Sequence, residues 1–358
     1  MRFISYAGLL SLIFFAALTA CRSVSEQPEG EPEVFTGPAE QPEEEPEKAF
    51  DYPVISPEFE TLPITAFGEI WGYLISGRED ALKADYPLSD IGYFGAEVNA
   101  YGQLADVPNR RRIAGFTGRV HMVVTCSGYG LTHFVLVEGS TRRRLLTELV
   151  EAVKPYDGLQ IDFENVPKRD GDNFRSFLAD LKAELGDRIF TVALPARERT
   201  LSNDVYDYAR IAPLVDRILV MAYDEHWSTS EPGPVASINW CGSVAAYSLR
   251  TLGPEKLIMG IPFYGRAWGS PDPAKAYISS SVERIKRENN ITTIYRENAI
   301  PIFTYEIPVT VKVYYDDDYS HSVRFELYRR LGVKAIGFWR LGQESPTVWR
   351  LLNLTEKS

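Results

Sequence analysis

Asp157-Gly158-Leu159-Gln160-Ile161-Asp162-Phe163-Glu164 is the segment most informative about the fold. With the two-residue period of a β-strand, its side chains divide into an apolar face (Leu159, Ile161 and Phe163) and a polar face (Gly158, Gln160, Asp162 and Glu164). An open sheet with one face in water would give the same alternation. In a closed parallel barrel, however, helices cover the outside, so the polar face would point into the barrel.

The sequence on both sides of this stretch favours the barrel. Short β-branched and aromatic segments alternate with amphipathic ones, and two of the latter, 141–153 and 173–185, carry their apolar residues on one helical face. The predicted strands are 69–75, 90–94, 120–126, 158–164, 189–194, 217–223, 256–263 and 335–339. Strand–helix alternation is typical of a parallel sheet, and eight units predict a closed (β/α)8 barrel, the TIM-barrel fold of the α/β class.

One segment does not follow this alternation. From 268 to about 312 no strand–helix unit fits, and Tyr277-Ile278, Ile294-Tyr295 and 303–305 indicate short strands around one helix. A long structureless loop is the alternative, but loops of this length are uncommon in compact domains. We therefore predict a small α+β insertion between the seventh and eighth strands.

The first residues have the features of a targeting segment. Arg2 precedes an apolar run at 9–18 that is too short to span a bilayer comfortably, and small residues lead to Cys21. This resembles the processing site of bacterial lipoproteins, in which the cysteine becomes lipidated. An ordinary signal peptide (1–20) with an incidental cysteine is the alternative. We expect a cell-envelope protein that is anchored to a membrane through Cys21 and faces outside the cytoplasm.

Residues 21–60 are dominated by Glu and Pro. Between Glu26 and Asp51, ten acidic residues stand against Lys48 alone, which accounts for nine of the eleven net negative charges of the chain. Such a segment has too little apolar surface to fold, so we predict a disordered tether before one large domain at 61–358. That domain is close to neutral and has no basic stripe, so nucleic acid is not an expected partner.

Cysteine and histidine usage gives no sign of a cofactor. Cys126 and Cys241 could pair in an oxidising compartment, but two cysteines so far apart leave the question open. The four histidines are scattered and no phosphate-binding glycine loop is present, so we expect neither a metal nor a nucleotide. The acidic triple at 316–318 could bind calcium, but a solvated turn before the last helix is the interpretation we favour.

Asp162 and Glu164 are the candidate catalytic pair. They lie two residues apart at the carboxyl end of a predicted barrel strand, where buried carboxylates are costly unless they are paired or hydrogen-bonded. Because like charges so close do not both ionise easily, a proton should stay on the pair and the pKa of Glu164 should be raised, as a general acid requires. The alternative is a pair of structural carboxylates satisfied by hydrogen bonds.

This strand resembles that of glycoside hydrolase family 18, the chitinase-like family, whose fourth barrel strand carries Asp-x-x-Asp-x-Asp-x-Glu. Asp157, Asp162 and Glu164 match the first, third and fourth of these positions, whereas Gln160 replaces the second Asp. The nearest resemblance is to the spore-germination and cortex-lytic peptidoglycan N-acetylglucosaminidases, which have Gly-x-Asn-x-Asp-Phe-Glu. An amide at Gln160 can hydrogen-bond Asp162 but cannot take up negative charge.

Further segments carry the resemblance from about Trp71 to Trp349. They are Met221-Ala222-Tyr223-Asp224, Gly260-Ile261-Pro262-Phe263-Tyr264-Gly265-Arg266 and Gly337-Phe338-Trp339. The resemblance implies that Tyr223 and Asp224 hold the acetamido group of the substrate and that Trp339 stacks under the reacting sugar. It also implies that Tyr264 and Arg266 reach the sugar cleft. The alternatives are core aromatic residues and a helix cap.

The resemblance implies a retaining, substrate-assisted glycosidase that cleaves β-linked glycans containing N-acetylglucosamine. Glu164 would protonate the leaving oxygen, while Asp162, steadied by Gln160, and Tyr223 orient the acetamido group that attacks the anomeric carbon. The rivals are a carbohydrate-binding lectin on the same barrel and an envelope scaffold with a vestigial cleft. Two questions stay open at this point: whether the substrate is peptidoglycan or chitin, and whether cleavage is exo or endo. We expect the protein to be a monomer.

Overall fold

The computed structural model describes residues 58–269, 274–306 and 310–355. The predicted signal peptide, the lipidation site at Cys21 and nearly all of the predicted tether lie outside these described residues. Within them, no helix is both long and apolar enough to cross a membrane.

Most of the described chain is in regular structure. The strands are β1 (Thr65–Phe67), β2 (Glu69–Ile75), β3 (Asp90–Val98), β4 (Leu104–Ala105), β5 (Arg119–Thr125), β6 (Gly158–Asp162), β7 (Ile189–Pro195), β8 (Arg217–Met221), β9 (Leu257–Pro262), β10 (Tyr264–Gly269), β11 (Lys275–Ile278), β12 (Tyr295–Glu297), β13 (Ile300–Glu306), β14 (Thr310–Tyr314), β15 (Ala335–Trp339) and β16 (Leu352–Leu354). The helices are α1 (Tyr129–Val137), α2 (Gly139–Ala152), α3 (Gly171–Leu185), α4 (Tyr208–Ile211), α5 (Ile238–Leu252), α6 (Ser279–Glu288) and α7 (Asp318–Leu331).

Eight parallel strands close into the predicted barrel. Their order is β2-β15-β9-β8-β7-β6-β5-β3, and β3 pairs in parallel with β2 to complete the ring. Each corresponds to a predicted strand. However, β6 and β8 each end two residues earlier than predicted, so Glu164 and Tyr223 lie in the loops that follow these strands. The (β/α)8 fold is confirmed.

The helices that cover the barrel bury the faces that their sequences predict. In α2, Leu145, Leu146 and Leu149 are buried, and in α3 the buried residues include Phe174 and Phe177. Each large apolar side chain removed from water contributes about 1.5–3 kcal/mol to folding. Burial of these helical faces therefore holds the outer layer on the strands.

A five-stranded antiparallel sheet with α6 lies between β9 and β15, in the strand order β11-β10-β14-β13-β12. It is the predicted α+β insertion and has its own apolar cluster, which includes Val282, Ile285 and Phe303. It starts earlier than predicted, at Tyr264 rather than at 268. Phe263 alone separates β9 from β10, so the sequence has no turn signal there that would mark the boundary.

The interior of the barrel is packed with side chains. A cluster of Trp71, Tyr73, Val123, Ala193, Leu219, Ile258 and Ala335 fills it, and the half-buried Phe94, Met221 and Trp339 pack against this cluster. The barrel is therefore a solid support rather than a pore, as is usual for this fold.

Candidate active site

The candidate site lies at the carboxyl ends of the barrel strands. Asp162 is the last residue of β6, and Glu164 follows two positions later. Tyr223 stands two residues after β8, and Trp339 is the last residue of β15. Because parallel strands all end at one rim, residues that are distant in sequence meet there.

Asp162 is a buried carboxyl group that lacks a full set of partners. Only 7% of the residue is exposed, and its Oδ1 atom has no hydrogen-bond partner among the described residues. Burial, and then the charge of Glu164, raise the pKa of Asp162 well above its usual range. The residue therefore holds a proton more readily than an ordinary aspartate does.

Glu164 is more open than Asp162, because solvent reaches its side chain. Protein atoms nevertheless surround the carboxyl group closely enough to strip much of its hydration. This dehydration, followed by the negative charge of Asp224, raises the pKa of Glu164. A carboxyl group that solvent can reach and that keeps its proton has the properties of a general acid.

Tyr206 fixes the loop that carries Glu164, although no pattern in the sequence points to this residue. The buried Tyr206 hydroxyl donates a hydrogen bond to the carbonyl oxygen of Phe163 (2.8 Å) and accepts one from the backbone N–H of Val166 (3.0 Å). These two bonds enclose Glu164 from both sides along the chain. Tyr206 is therefore a positioning residue for Glu164.

Gln160 does not pair with the residue that the sequence predicts. It is completely buried, its Oε1 accepts a hydrogen bond from the Tyr73 hydroxyl, and its Nε2 donates to Thr191 Oγ1 (3.0 Å). The structure describes no hydrogen bond between Gln160 and Asp162, contrary to the prediction, because Tyr73 of β2 and Thr191 of β7 reach the two ends of the amide inside the barrel. The role of Gln160 in substrate binding stays a prediction.

Asp224 is the centre of a second cluster at the rim. Its Oδ1 accepts hydrogen bonds from the Tyr264 hydroxyl (2.6 Å) and from Nη2 and Nε of Arg266 (2.7 and 3.2 Å). Its backbone has φ +60°, which is uncommon for a residue other than glycine. The structure thus connects Tyr264 and Arg266 to Asp224, and their contact with a sugar stays a prediction.

Tyr223 keeps its hydroxyl available. The ring packs edge-on against Tyr264 with centroids 6.4 Å apart, and a Cβ atom added to Gly260 would come within 2.9 Å of it. No described residue forms a hydrogen bond with its hydroxyl group. Burial raises the pKa of Tyr223 well above its usual range, so the phenol stays neutral and can donate.

Trp339 forms a half-buried aromatic surface at the top of the barrel core. Its ring meets Phe94 edge to face at 4.9 Å and lies tilted against Tyr73 at 5.7 Å. These contacts fix its orientation, and its partial exposure leaves surface for a ligand. Such a surface suits the apolar C–H face of a sugar ring.

The three aspartates at 316–318 each have partners within the protein, and the two cysteines of the domain do not form a disulfide. Asp317 caps α7, Asp316 pairs with Arg324 at 3.0 Å, and Asp318 accepts hydrogen bonds from two hydroxyl groups. Cys126 and Cys241 are both buried and free. Within the described ranges, no group of three His, Cys, Asp or Glu side chains is arranged to hold a metal ion.

Comparison with known proteins points to one family. The sequence profile of glycosyl hydrolases family 18 matches residues 97–344. The cortical fragment-lytic enzyme of Bacillus anthracis is 27% identical over 301 residues, which are 76% of this chain and 69% of that protein.

Solved structures share the fold. The spore cortex-lytic enzyme SleL of Bacillus cereus matches with a TM-score of 0.73 at 23% identity, over 82% of this chain and 76% of that chain. A chitinase from Chromobacterium violaceum matches with a TM-score of 0.70 at 20% identity, over 79% of this chain and 97% of that chain. Similarity at this level of identity extends to the barrel architecture and no further.

Proposed function

The chain belongs to glycosyl hydrolases family 18 and is a glycosidase, and from this premise we propose that it is a retaining, substrate-assisted hydrolase of β-linked glycans that contain N-acetylglucosamine. The observation that carries the proposal is the pair of Asp162 and Glu164, both with a raised pKa, at the same rim of the barrel as Trp339. The natural substrate we propose is peptidoglycan, with chitin-type chains as the alternative.

The first step uses Glu164 as the acid. Its proton passes to the glycosidic oxygen as that bond breaks, while the carbonyl oxygen of the substrate's acetamido group attacks the anomeric carbon from the opposite face. The Tyr223 hydroxyl, which has no described hydrogen-bond partner, donates to that carbonyl oxygen and orients it. The unpartnered Oδ1 of Asp162 accepts the acetamide N–H, on which positive charge develops in the oxazolinium intermediate.

The second step reverses the role of Glu164. Its carboxylate removes a proton from a water molecule, which attacks the anomeric carbon and opens the oxazolinium ring. The acetamido group is regenerated, Glu164 is protonated again, and the configuration at the anomeric carbon is retained. Asp224 is a poor second nucleophile because Tyr264 and Arg266 hold its Oδ1.

Peptidoglycan is favoured over chitin by two observations. The relatives include enzymes named for lysis of cortical fragments and of the spore cortex. The second observation is the Cys21 lipidation signal with its acidic tether, which in our proposal anchors the protein in the envelope beside such a polymer. Replacement of Cys21 by serine should release the protein from membranes, and continued membrane association would contradict the anchor.

The test measures reducing ends released by the full chain from purified peptidoglycan, from chito-oligosaccharides and from cellulose, together with the configuration of the first product by NMR. We expect cleavage only of polymers with 2-acetamido groups and an initial β-anomer product. Cleavage of cellulose, or an initial α-anomer, would contradict the mechanism. Binding of an acetamido polymer without cleavage would favour the lectin.

A further inference from the structure

Arg340 is a half-buried cation without a described partner at the rim of the cleft. It follows directly after Trp339, at the carboxyl end of β15. Among the described residues, no carboxylate and no hydrogen-bond acceptor pairs with its guanidinium group. Burial, and then the positive charge of Arg78, lower the pKa of Arg340. A cation in this setting is costly unless an anion joins it.

Arg78 brings a second positive charge to the same part of the rim. It lies just beyond β2, the strand that pairs with β15, and its Nη2 is 4.0 Å from the position of a Cβ atom on Gly342. Its nearest acid is Asp80 at 3.8 Å, and both side chains are more than half exposed. An ion pair so long and so exposed neutralises little charge.

Two glutamates close in sequence to these arginines, Glu344 and Glu79, are engaged by other groups. Glu344 accepts hydrogen bonds from the Tyr86 hydroxyl and the Trp349 ring through Oε1, and from the backbone N–H groups of Gly342 and Gln343 through Oε2. Glu79 in turn binds Tyr93, the N–H of Gly77 and Arg112. No described hydrogen bond or ion pair joins either glutamate to Arg340 or Arg78, so neither serves as the partner of the Arg340 guanidinium group.

From this arrangement we propose that Arg340, assisted by Arg78, binds a carboxylate on the sugar next to the one that stacks on Trp339. The inference rests on the proposed function, because it takes Trp339 as the surface under the reacting sugar. A neutral chitin chain offers no such group. A glycan in which an acidic sugar alternates with a 2-acetamido sugar does, and the strand of peptidoglycan, with its lactyl ether carboxylates, is that class of polymer.

The test compares three glycans of matched length in binding to the full chain that carries Glu164→Gln. They are peptidoglycan strands freed of peptide, which expose lactyl carboxylates, the same strands with those carboxylates converted to methylamides, and chito-oligosaccharides. We expect at least about tenfold tighter binding of the carboxylate form than of the amide form, the difference one charge-assisted contact supplies. The ratio should fall as salt rises.

Adding Arg340→Gln should reduce that ratio to near one, and Arg78→Gln should reduce it in part. Arg250→Gln, on the exposed surface of α5, is the matched control and should keep the ratio. Thermal unfolding checks that each variant is folded. Because Arg340→Gln and Arg78→Gln are made separately, either one can test the proposal if the other fails to fold. Binding of strands that retain their peptides is measured as well. If Arg340 favours a carboxylate only in these strands, the group that it binds belongs to the peptide rather than to the lactyl ether.

Equal binding of the carboxylate and amide forms by the Glu164→Gln chain would overturn the inference, as would an Arg340→Gln variant that weakens both forms by one factor. Turnover separates this result from failure of the proposed function. If the chain with Glu164 intact cleaves acetamido polymers while the ratio is one, only the carboxylate subsite is wrong. If it cleaves none while the ratio stands, the hydrolase is wrong and the subsite holds.

Discussion

The buried aspartates Asp90 and Asp162 lie at opposite ends of the barrel and have opposite surroundings. At the amino ends of the strands, Asp90 accepts hydrogen bonds from Nε and Nη2 of Arg119 at 2.6 and 2.8 Å. The Nε2 atom of His121 lies 2.8 Å from Oδ1 of Asp90. Glu69 binds Arg119, Arg217 and the Trp71 ring nitrogen through its two oxygens. At the carboxyl ends, Asp162 has an unpartnered oxygen.

The pKa values follow these surroundings. Burial alone would raise the pKa of Asp90, but the hydrogen bonds from His121 and Arg119 outweigh it and lower the pKa to about 2. Asp162 and Glu164 have no such donors, and the pKa of each is raised. An aspartate thus has a lowered pKa at one end of the barrel and a raised pKa at the other, as expected for a structural ion pair and for the proposed catalytic pair.

The largest expected effect concerns Glu164, at the carboxyl ends of the strands. Glu164→Gln keeps the shape of the side chain but removes the transferable proton, so kcat on an acetamido glycan should fall by about 10³-fold or more. The measurement is the steady-state rate of reducing-end release. Glu184→Gln, at an exposed position of α3, is the matched control. A kcat for Glu164→Gln within tenfold of the parent would mean that another group supplies the proton.

The next largest effect concerns Asp90, which is paired with Arg119 and His121 at the amino ends of the strands. Asp90→Asn removes the anion beside His121 and one of the two carboxylates that Arg119 contacts, and we expect the free energy of unfolding at pH 7 to fall by about 3 kcal/mol. Denaturant unfolding measures it, with Asp187→Asn, at an exposed turn, as the control. A loss below about 1 kcal/mol would mean that the network contributes little to stability.

The same aspartate predicts an acid dependence. Its folded pKa of about 2 lies below the ordinary 3.8, so its contribution of about 2 kcal/mol is complete above pH 4 and is lost as the pH falls towards 2. The parent protein should therefore lose more stability than Asp90→Asn over this interval. Parallel curves for the two proteins would contradict the assigned pKa.

The sequence predicted the elements well because each depends on local periodicity. The strand that ends at Asp162 could be identified from alternating faces, and its carboxylates could be placed at the rim because all parallel strands end there. The start of the insertion at Tyr264 could not, since β10 follows β9 after a single residue without a turn signal.

The partners of the site residues were beyond the sequence. Gln160 binds Tyr73, 87 positions away, and Tyr206 clamps the Glu164 loop from 43 positions beyond Phe163. Which side chain reaches which across the barrel depends on register and on side-chain length, and neither leaves a local pattern. The prediction for Gln160 failed for this reason, because its nearest acid in the sequence is not its partner in space.

A smaller effect is expected at Asp162. There the change in the free energy of unfolding should have the opposite sign to that at Asp90. The folded pKa of Asp162 is raised, so this residue favours folding only below the ordinary pKa and destabilises the fold progressively as the pH rises towards the folded value. Asp162→Asn should therefore raise the free energy of unfolding at pH 7, while activity falls. Denaturant unfolding at pH 7 and pH 4 should show the gain only at pH 7. A loss at pH 7 comparable to that of Asp90→Asn would remove the distinction between the two ends.

The smallest expected effect concerns Tyr206, which holds the Glu164 loop in place. Tyr206→Phe removes both hydrogen bonds around the Glu164 loop, so we expect kcat to fall by about five- to tenfold with little change in KM, and the pH profile to shift as the surroundings of Glu164 loosen. Tyr208→Phe removes one part-buried bond, from its hydroxyl to the carbonyl oxygen of Pro195 at 2.7 Å, and no described hydrogen bond joins this hydroxyl to the Glu164 loop. Both variants should lose about 1 kcal/mol of stability, but only Tyr206→Phe should change kcat and the pH profile. Equal effects of the two variants on kcat would make Tyr206 an ordinary structural residue.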